Sequence, residues 1–132
     1  MPTRLTGGCK CGLVRYSALQ SDAAMFRCHC RDCQQLTGTG HSDMTPAVAG
    51  SFGASGPYRV FEMTGGSGLS TFSGFCSNCG SQLTRRSERV SACIYLYAAS
   101  LDDPAIYRPE KSIYSEAAQP WDGAVIENSE KG

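Results

Sequence analysis

Seven of the eight cysteines fall into three tight clusters, Cys9-Lys10-Cys11, Cys28-His29-Cys30-Arg31-Asp32-Cys33 and Cys76-Ser77-Asn78-Cys79. Any fold open to this chain must satisfy these thiols together, as disulfides or around metal ions. A disulfide framework is the plain alternative for an even number of cysteines in a short chain. Three observations weigh against it. Residues 1–8 (MPTRLTGG) carry no basic stretch followed by an apolar run, so no secretory signal is read there and a reducing, cytoplasmic setting is expected. Cysteines two apart, as in Cys9/Cys11 and Cys28/Cys30, bridge each other only with strain, whereas a metal accepts neighbouring sulfurs at its own angles. Eight cysteines in 132 residues is about 6%, below the roughly 8–10% of disulfide-stapled secreted chains.

Spacing then assigns ligands. In an extended segment side chains two apart share a face, so Cys9 and Cys11 offer both sulfurs to one ion while Lys10 turns away. Cys76-x-x-Cys79 followed by Gly80 is a zinc-knuckle arrangement and supplies the other half of a four-cysteine, structural zinc site. Cys28, Cys30 and Cys33 provide three ligands from six residues. With no fourth protein ligand, zinc there keeps a position for water or substrate, as catalytic sites do. Two alternatives stay open for this triplet. Cys93 could close it, or be buried as a small hydrophobe within residues 90–98. The thiols could act without metal as reactive thiolates. His29, between two ligands, should point to the opposite face from them, though contact with the metal or service as a base stays open. His41, in a glycine-flanked loop, reads as an exposed polar residue.

The remainder of the chain sets limits. Twelve basic and twelve acidic side chains cancel, without runs of like charge, and two zinc ions with seven thiolates would bring the net charge to about −3. Nucleic acid and anionic membranes are therefore not expected partners. No apolar stretch approaches the roughly 20 residues of a membrane-spanning helix. Strand patterns cover residues 13–17, 58–63, 69–75 and 90–98, with an edge strand around 44–48. Helix is confined to residues 32–37, stopped at Gly38, and a turn at 102–107 that Asp102 or Asp103 can cap. The expectation is one domain over 1–132, a small, mainly antiparallel β fold pinned by metal, with residues 123–132 a frayed tail.

Several segments also carry a resemblance: Gly8-Cys9-x-Cys11-Gly12 with Val14-Arg15-Tyr16, Cys28-His29-Cys30-x-x-Cys33-Gln34, Phe75-Cys76-x-x-Cys79-Gly80-Ser81-x-Leu83, Leu101-Asp102-Asp103-Pro104 and Pro120-Trp121. In this order the chain resembles the glutathione-dependent formaldehyde-activating enzyme family, which includes centromere protein V. The resemblance implies a β-tent fold, a structural zinc on Cys9, Cys11, Cys76 and Cys79, and a catalytic zinc on Cys28, Cys30 and Cys33. It also implies a carbon–sulfur lyase that joins glutathione to formaldehyde as S-(hydroxymethyl)glutathione. Arg27 and Arg31, flanking the triplet, either attract the thiol's carboxylates or are solvated surface charges. Residues 109–114 lack a histidine that relatives often carry there, which leaves the substrate open. Trp121 would lie over the ligand site or plug the core. A non-catalytic glutathione carrier or protein-interaction module is the competing reading.

Overall fold

The computed structural model describes residues 2–123 and residue 126. Ten strands form: β1 (Arg4–Gly8), β2 (Arg15–Leu19), β3 (Phe26–Cys28), β4 (Ser42–Val48), β5 (Gly53–Ser55), β6 (Tyr58–Thr64), β7 (Ser70–Cys76), β8 (Gln82–Ser87), β9 (Cys93–Tyr97) and β10 (Lys111–Ile113). A single α-helix among these residues, α1 (Arg31–Thr37), follows β3. The strands make a three-stranded sheet in the order β1-β2-β5 and a seven-stranded sheet in the order β10-β3-β4-β9-β8-β7-β6. Every pairing is antiparallel except β10 with β3. The mainly β, antiparallel expectation matches this architecture.

Alternation builds the core. Leu5 of β1 and Tyr16 and Ala18 of β2 face inward from the small sheet, and Ala47, Leu83, Ile94 and Leu96 face them from the large one. Leu83 and Leu96 are completely buried, which contributes about 1.5–3 kcal/mol each. The Tyr16 hydroxyl, 2.6 Å from Ser100 Oγ, ties β2 to the turn after β9.

One element differs from the sequence expectation in its position. The segment around residues 44–48 lies inside the large sheet, between β3 and β9, although Pro46 argues for an edge. The reason is local. Pro46 pairs with Tyr95 of β9, but its carbonyl faces the other way and accepts from Ser21 N at 3.1 Å. In a strand the nitrogen and carbonyl of one residue point to the same side, so the missing N–H subtracts nothing from the β9 ladder.

The elements bounding the cysteine clusters end as their sequences dictate. Helix α1 stops at Gly38, with φ 75°, and its amide bonds Gln34 O at 2.9 Å. The turn near residue 104 begins at Pro104, yet Asp103 makes no side-chain cap, and Asp102 instead pairs with Arg15 and accepts from Thr6. The register of β7 and β8 shifts between Gly74 and Phe75, a bulge just ahead of Cys76. Of the expected tail, residues 124, 125 and 127–132 lie outside the described residues. The Ile126 amide donates to Ser112 Oγ at 2.9 Å.

Candidate metal and thiol centres

The first centre forms where two turns meet. After β1, the chain folds back so that Gly12 N bonds Cys9 O at 3.1 Å, and Val14 N points at Cys9 Sγ from 3.2 Å. Between β7 and β8, Gly80 N bonds Cys76 O at 2.8 Å and Cys79 N points at Cys76 Sγ from 3.4 Å. Asn78 Nδ2 donates to Cys11 Sγ at 3.3 Å, and Ser81 Oγ lies 3.1 Å from Cys79 Sγ. The Ser81 hydroxyl and amide hold the Cys79 thiol down to about 5. These sulfurs are surrounded by donors, as thiolates require.

None of the eight cysteines is bonded to another. Cys9 and Cys11 sulfurs are 3.5 Å apart and those of Cys11 and Cys76 3.8 Å. A tetrahedron with Zn–S bonds of about 2.3 Å has edges of about 3.8 Å. The cluster of Cys9, Cys11, Cys76 and Cys79, drawn from the turn after β1 and the turn between β7 and β8, therefore fits a zinc ion.

The second centre is built at the end of β3. Cys28 closes the strand, Cys30 caps α1 by accepting from Cys33 N at 3.3 Å, and Cys33 lies on the first turn. The three sulfurs lie within 4.8 Å of one another. Hydrogen bonds from Cys28 and Cys33, opposed by burial and helped by the Cys33 amide and the charge of Arg85, hold Cys30 well below the usual thiol range. The bonds of Cys28 to Cys30 and Cys33 push Cys28 upward, and burial adds to this. Three convergent sulfurs that share protons in this way are a donor set suited to a soft or borderline metal.

This centre faces a cavity of about 300 Å³ whose wall also includes Arg31, Arg85, Arg86 and Arg89, against one acidic residue, Asp32. Arg85 is unusual. Its Nε and Nη1 are buried without a hydrogen-bond partner. The Tyr97 hydroxyl, pushed up to about 12 by burial and partly drawn back by Arg85, is equally unsatisfied. A buried guanidinium in this state favours an anion. The sequence expectation missed Arg85, Arg86 and Arg89. Their signal was present in the basic cluster that follows the knuckle, but only the β8–β9 pairing, Arg85 opposite Tyr95, brings it near the thiols. Arg27, by contrast, is committed to Asp43 at 2.8 Å and is not part of the cavity wall.

The remaining expectations resolve by position. Cys93 Sγ sits 3.8 Å from Ser21 Oγ, outside both cysteine clusters. His29 does turn away from Cys28 and Cys30, and its ring is fully buried, which removes it as a base for the cavity. His41 is not an exposed residue. It packs 5.5 Å from the His29 ring and contacts Asp43 and Asp122. Trp121 is 68% exposed and plugs no core.

The family described as glutathione-dependent formaldehyde-activating enzyme has a sequence model that matches residues 4–117. No curated protein matches. Among solved structures, a crystal structure of a Rhodobacter sphaeroides protein, a structural genomics target, superposes with a TM-score of 0.59 at 17% identity. The match covers 74% of this chain and 87% of that one, and it is a likeness of fold. No helix among the described residues is long and apolar enough to cross a membrane.

Proposed function

The chain belongs to the glutathione-dependent formaldehyde-activating enzyme family, and on that premise we propose that it joins a small thiol of the glutathione type to a small aldehyde of the formaldehyde type. This is a carbon–sulfur lyase reaction run in the synthetic direction. One observation carries the reading: three convergent sulfurs share a cavity with four arginines. Cys9, Cys11, Cys76 and Cys79 would hold a structural zinc and Cys28, Cys30 and Cys33 a second one, three protein ligands leaving one position for a reactant. When bound there, zinc supplies Lewis acidity, which favours the thiolate form of a thiol and draws charge onto an aldehyde oxygen.

The protein's own residues supply the rest. Arg85, with Arg31, Arg86 and Arg89 around it, binds the carboxylates of the thiol, because planar guanidinium donors match carboxylate oxygens and Arg85 has donors to spare. Phe26, Met44 and Ile113 line the same cavity and exclude water from one side of the reacting pair. In the addition, the thiol gives up its proton and its sulfur forms the new bond to the aldehyde carbon. The C=O π pair moves to oxygen, which takes a proton. No oxidant or reductant is consumed. Reduced cysteines require a reducing compartment, which suits the cytoplasm.

Adduct formation from formaldehyde and glutathione, followed with the zinc-loaded protein, tests this. Acceleration over the spontaneous reaction is expected, abolished in Cys30→Ser with the circular dichroism spectrum unchanged. A wild-type rate equal to the spontaneous one, with glutathione still bound, would favour the carrier reading.

A further inference from the structure

We infer that His29, His41 and Asp122 form a third cation site, for a divalent first-row transition ion such as Zn²⁺, on the face of the Cys28–Cys33 segment that points away from the thiols. Alternation along the chain turns the His29 ring from its cysteine neighbours. His41 comes from the loop before β4, and Asp122 from the C-terminal segment. Their ligand atoms lie within 4.8 Å of one another. Asp122 Oδ2 is 3.3 Å from His29 Nδ1 and 3.0 Å from His41 Nδ1.

Four features favour a cation over a simple hydrogen-bonded cluster. First, His29 Nδ1 is completely buried, and its 3.3 Å contact with Asp122 Oδ2 does not meet hydrogen-bond geometry. Three heteroatoms are therefore gathered at contact range, one of them poorly aligned for a hydrogen bond. Second, the far nitrogen of each ring is already engaged. His29 Nε2 is 3.1 Å from Ser112 Oγ, and His41 Nε2 is 3.3 Å from Asp43 Oδ2. Metal-bound imidazoles are oriented in this way, by a carboxylate or another polar group on the nitrogen away from the ion.

Third, the spacing is that of ligands on one ion. With bonds of about 2.0–2.1 Å, neighbouring ligand atoms are about 2.9 Å apart in an octahedron and about 3.3 Å in a tetrahedron. The two contacts to Asp122 span that interval. Fourth, the fold makes room for the carboxylate. A Cβ on Gly40 would lie 2.4 Å from Asp122 Oδ2, so glycine next to His41 is what admits it. His41 and Asp43 also line a second cavity of about 890 Å³, a route for the ion from solvent. Two imidazoles and a carboxylate suit zinc, iron or nickel, whereas the thiolate clusters favour zinc and still softer ions.

The test uses the full chain with zinc already on its thiolates, titrated with Co²⁺. One further equivalent is expected, with weak visible bands and no sulfur-to-cobalt charge transfer. In Asp122→Asn its affinity should fall at least about tenfold while the bound zinc is retained. The inference is overturned if the wild type takes up no further ion, or if Asp122→Asn binds it equally well. It is also overturned if the only cobalt signal carries thiolate charge transfer, which reports exchange into the cysteine clusters.

Discussion

Arg85 and Gly40 show how one position sets the chemistry around it. Arg85 keeps two buried donors without a partner beside three thiols, and a charge-assisted hydrogen bond to a carboxylate is worth about 1.5–3 kcal/mol. Arg85→Gln should therefore raise KM for glutathione about 10- to 100-fold and leave the reaction of a thiol without carboxylates, such as 2-mercaptoethanol, nearly unchanged. Steady-state kinetics with the two thiols measures the difference. Gly40→Ala drives a methyl group to 2.4 Å from Asp122 Oδ2. It should destabilise the protein by about 1–3 kcal/mol, read from urea midpoints, whereas Gly66→Ala, with nothing within 4 Å, should be close to neutral. Thiol positions were legible in the sequence because ligand spacing is a local property of a strand or a tight turn. Arg85 and His41 were not, because what defines them, a partner across β9 and a carboxylate 81 residues away, is created only by tertiary pairing.

The knuckle between β7 and β8 is the element whose sequence and shape agree most closely. Gly80 takes φ 81° so that its amide can turn back to Cys76 O, a conformation that disfavours any Cβ by about 1–2 kcal/mol. A Cβ there would meet no atom within 4 Å. Gly80→Ala should thus lose about 1–2 kcal/mol from backbone strain alone, with zinc stoichiometry intact, as chemical denaturation of the zinc-loaded protein will show. A second element-scale contact joins β2 to the turn after Leu101. Hydrogen bonds from Arg15, then Thr6, hold Asp102 down to about 2. A depressed carboxyl stabilises fully above its unfolded value near 3.8 and loses that contribution as pH falls through about 2. The gap in urea midpoint between wild type and Asp102→Asn should be constant from pH 7 to about 5 and close as pH approaches 2. Helix α1, stopped at Gly38, and the strands β6, β7 and β9 were readable from pattern. The placement of β4 was not, because Pro46 argues for an edge until the Ser21 contact shows where its nitrogen faces.

Across the whole molecule, the four-cysteine centre spans the two sheets, which are otherwise joined by their packed core and by contacts such as Tyr16 with Ser100 and Arg15 with Asp102. Cys9 and Cys11 follow β1 of the small sheet, and Cys76 and Cys79 bracket the turn from β7 to β8 of the large one. The pairs are 65 residues apart along the chain, so an ion on them closes a long loop as well as bonding four sulfurs. Among the described residues the core cluster between the sheets holds ten buried side chains, two of them alanines, and a core of that size leaves little stability in reserve. The triplet of Cys28, Cys30 and Cys33 differs in kind, because its thiols come from one six-residue segment and an ion on them would constrain no distant element. Metal loss at the two centres should therefore have different consequences. Cys76→Ser should lower the melting temperature by 10 °C or more, on the order of 2–4 kcal/mol for a domain of this size, and make unfolding sensitive to chelators throughout. Cys30→Ser should shift it by less than about 3 °C while lowering zinc content by one equivalent. Calorimetry with metal analysis on both variants decides the matter. Equal shifts would mean that both centres are structural, and the division of labour between the cysteine pairs and the triplet would fail with them.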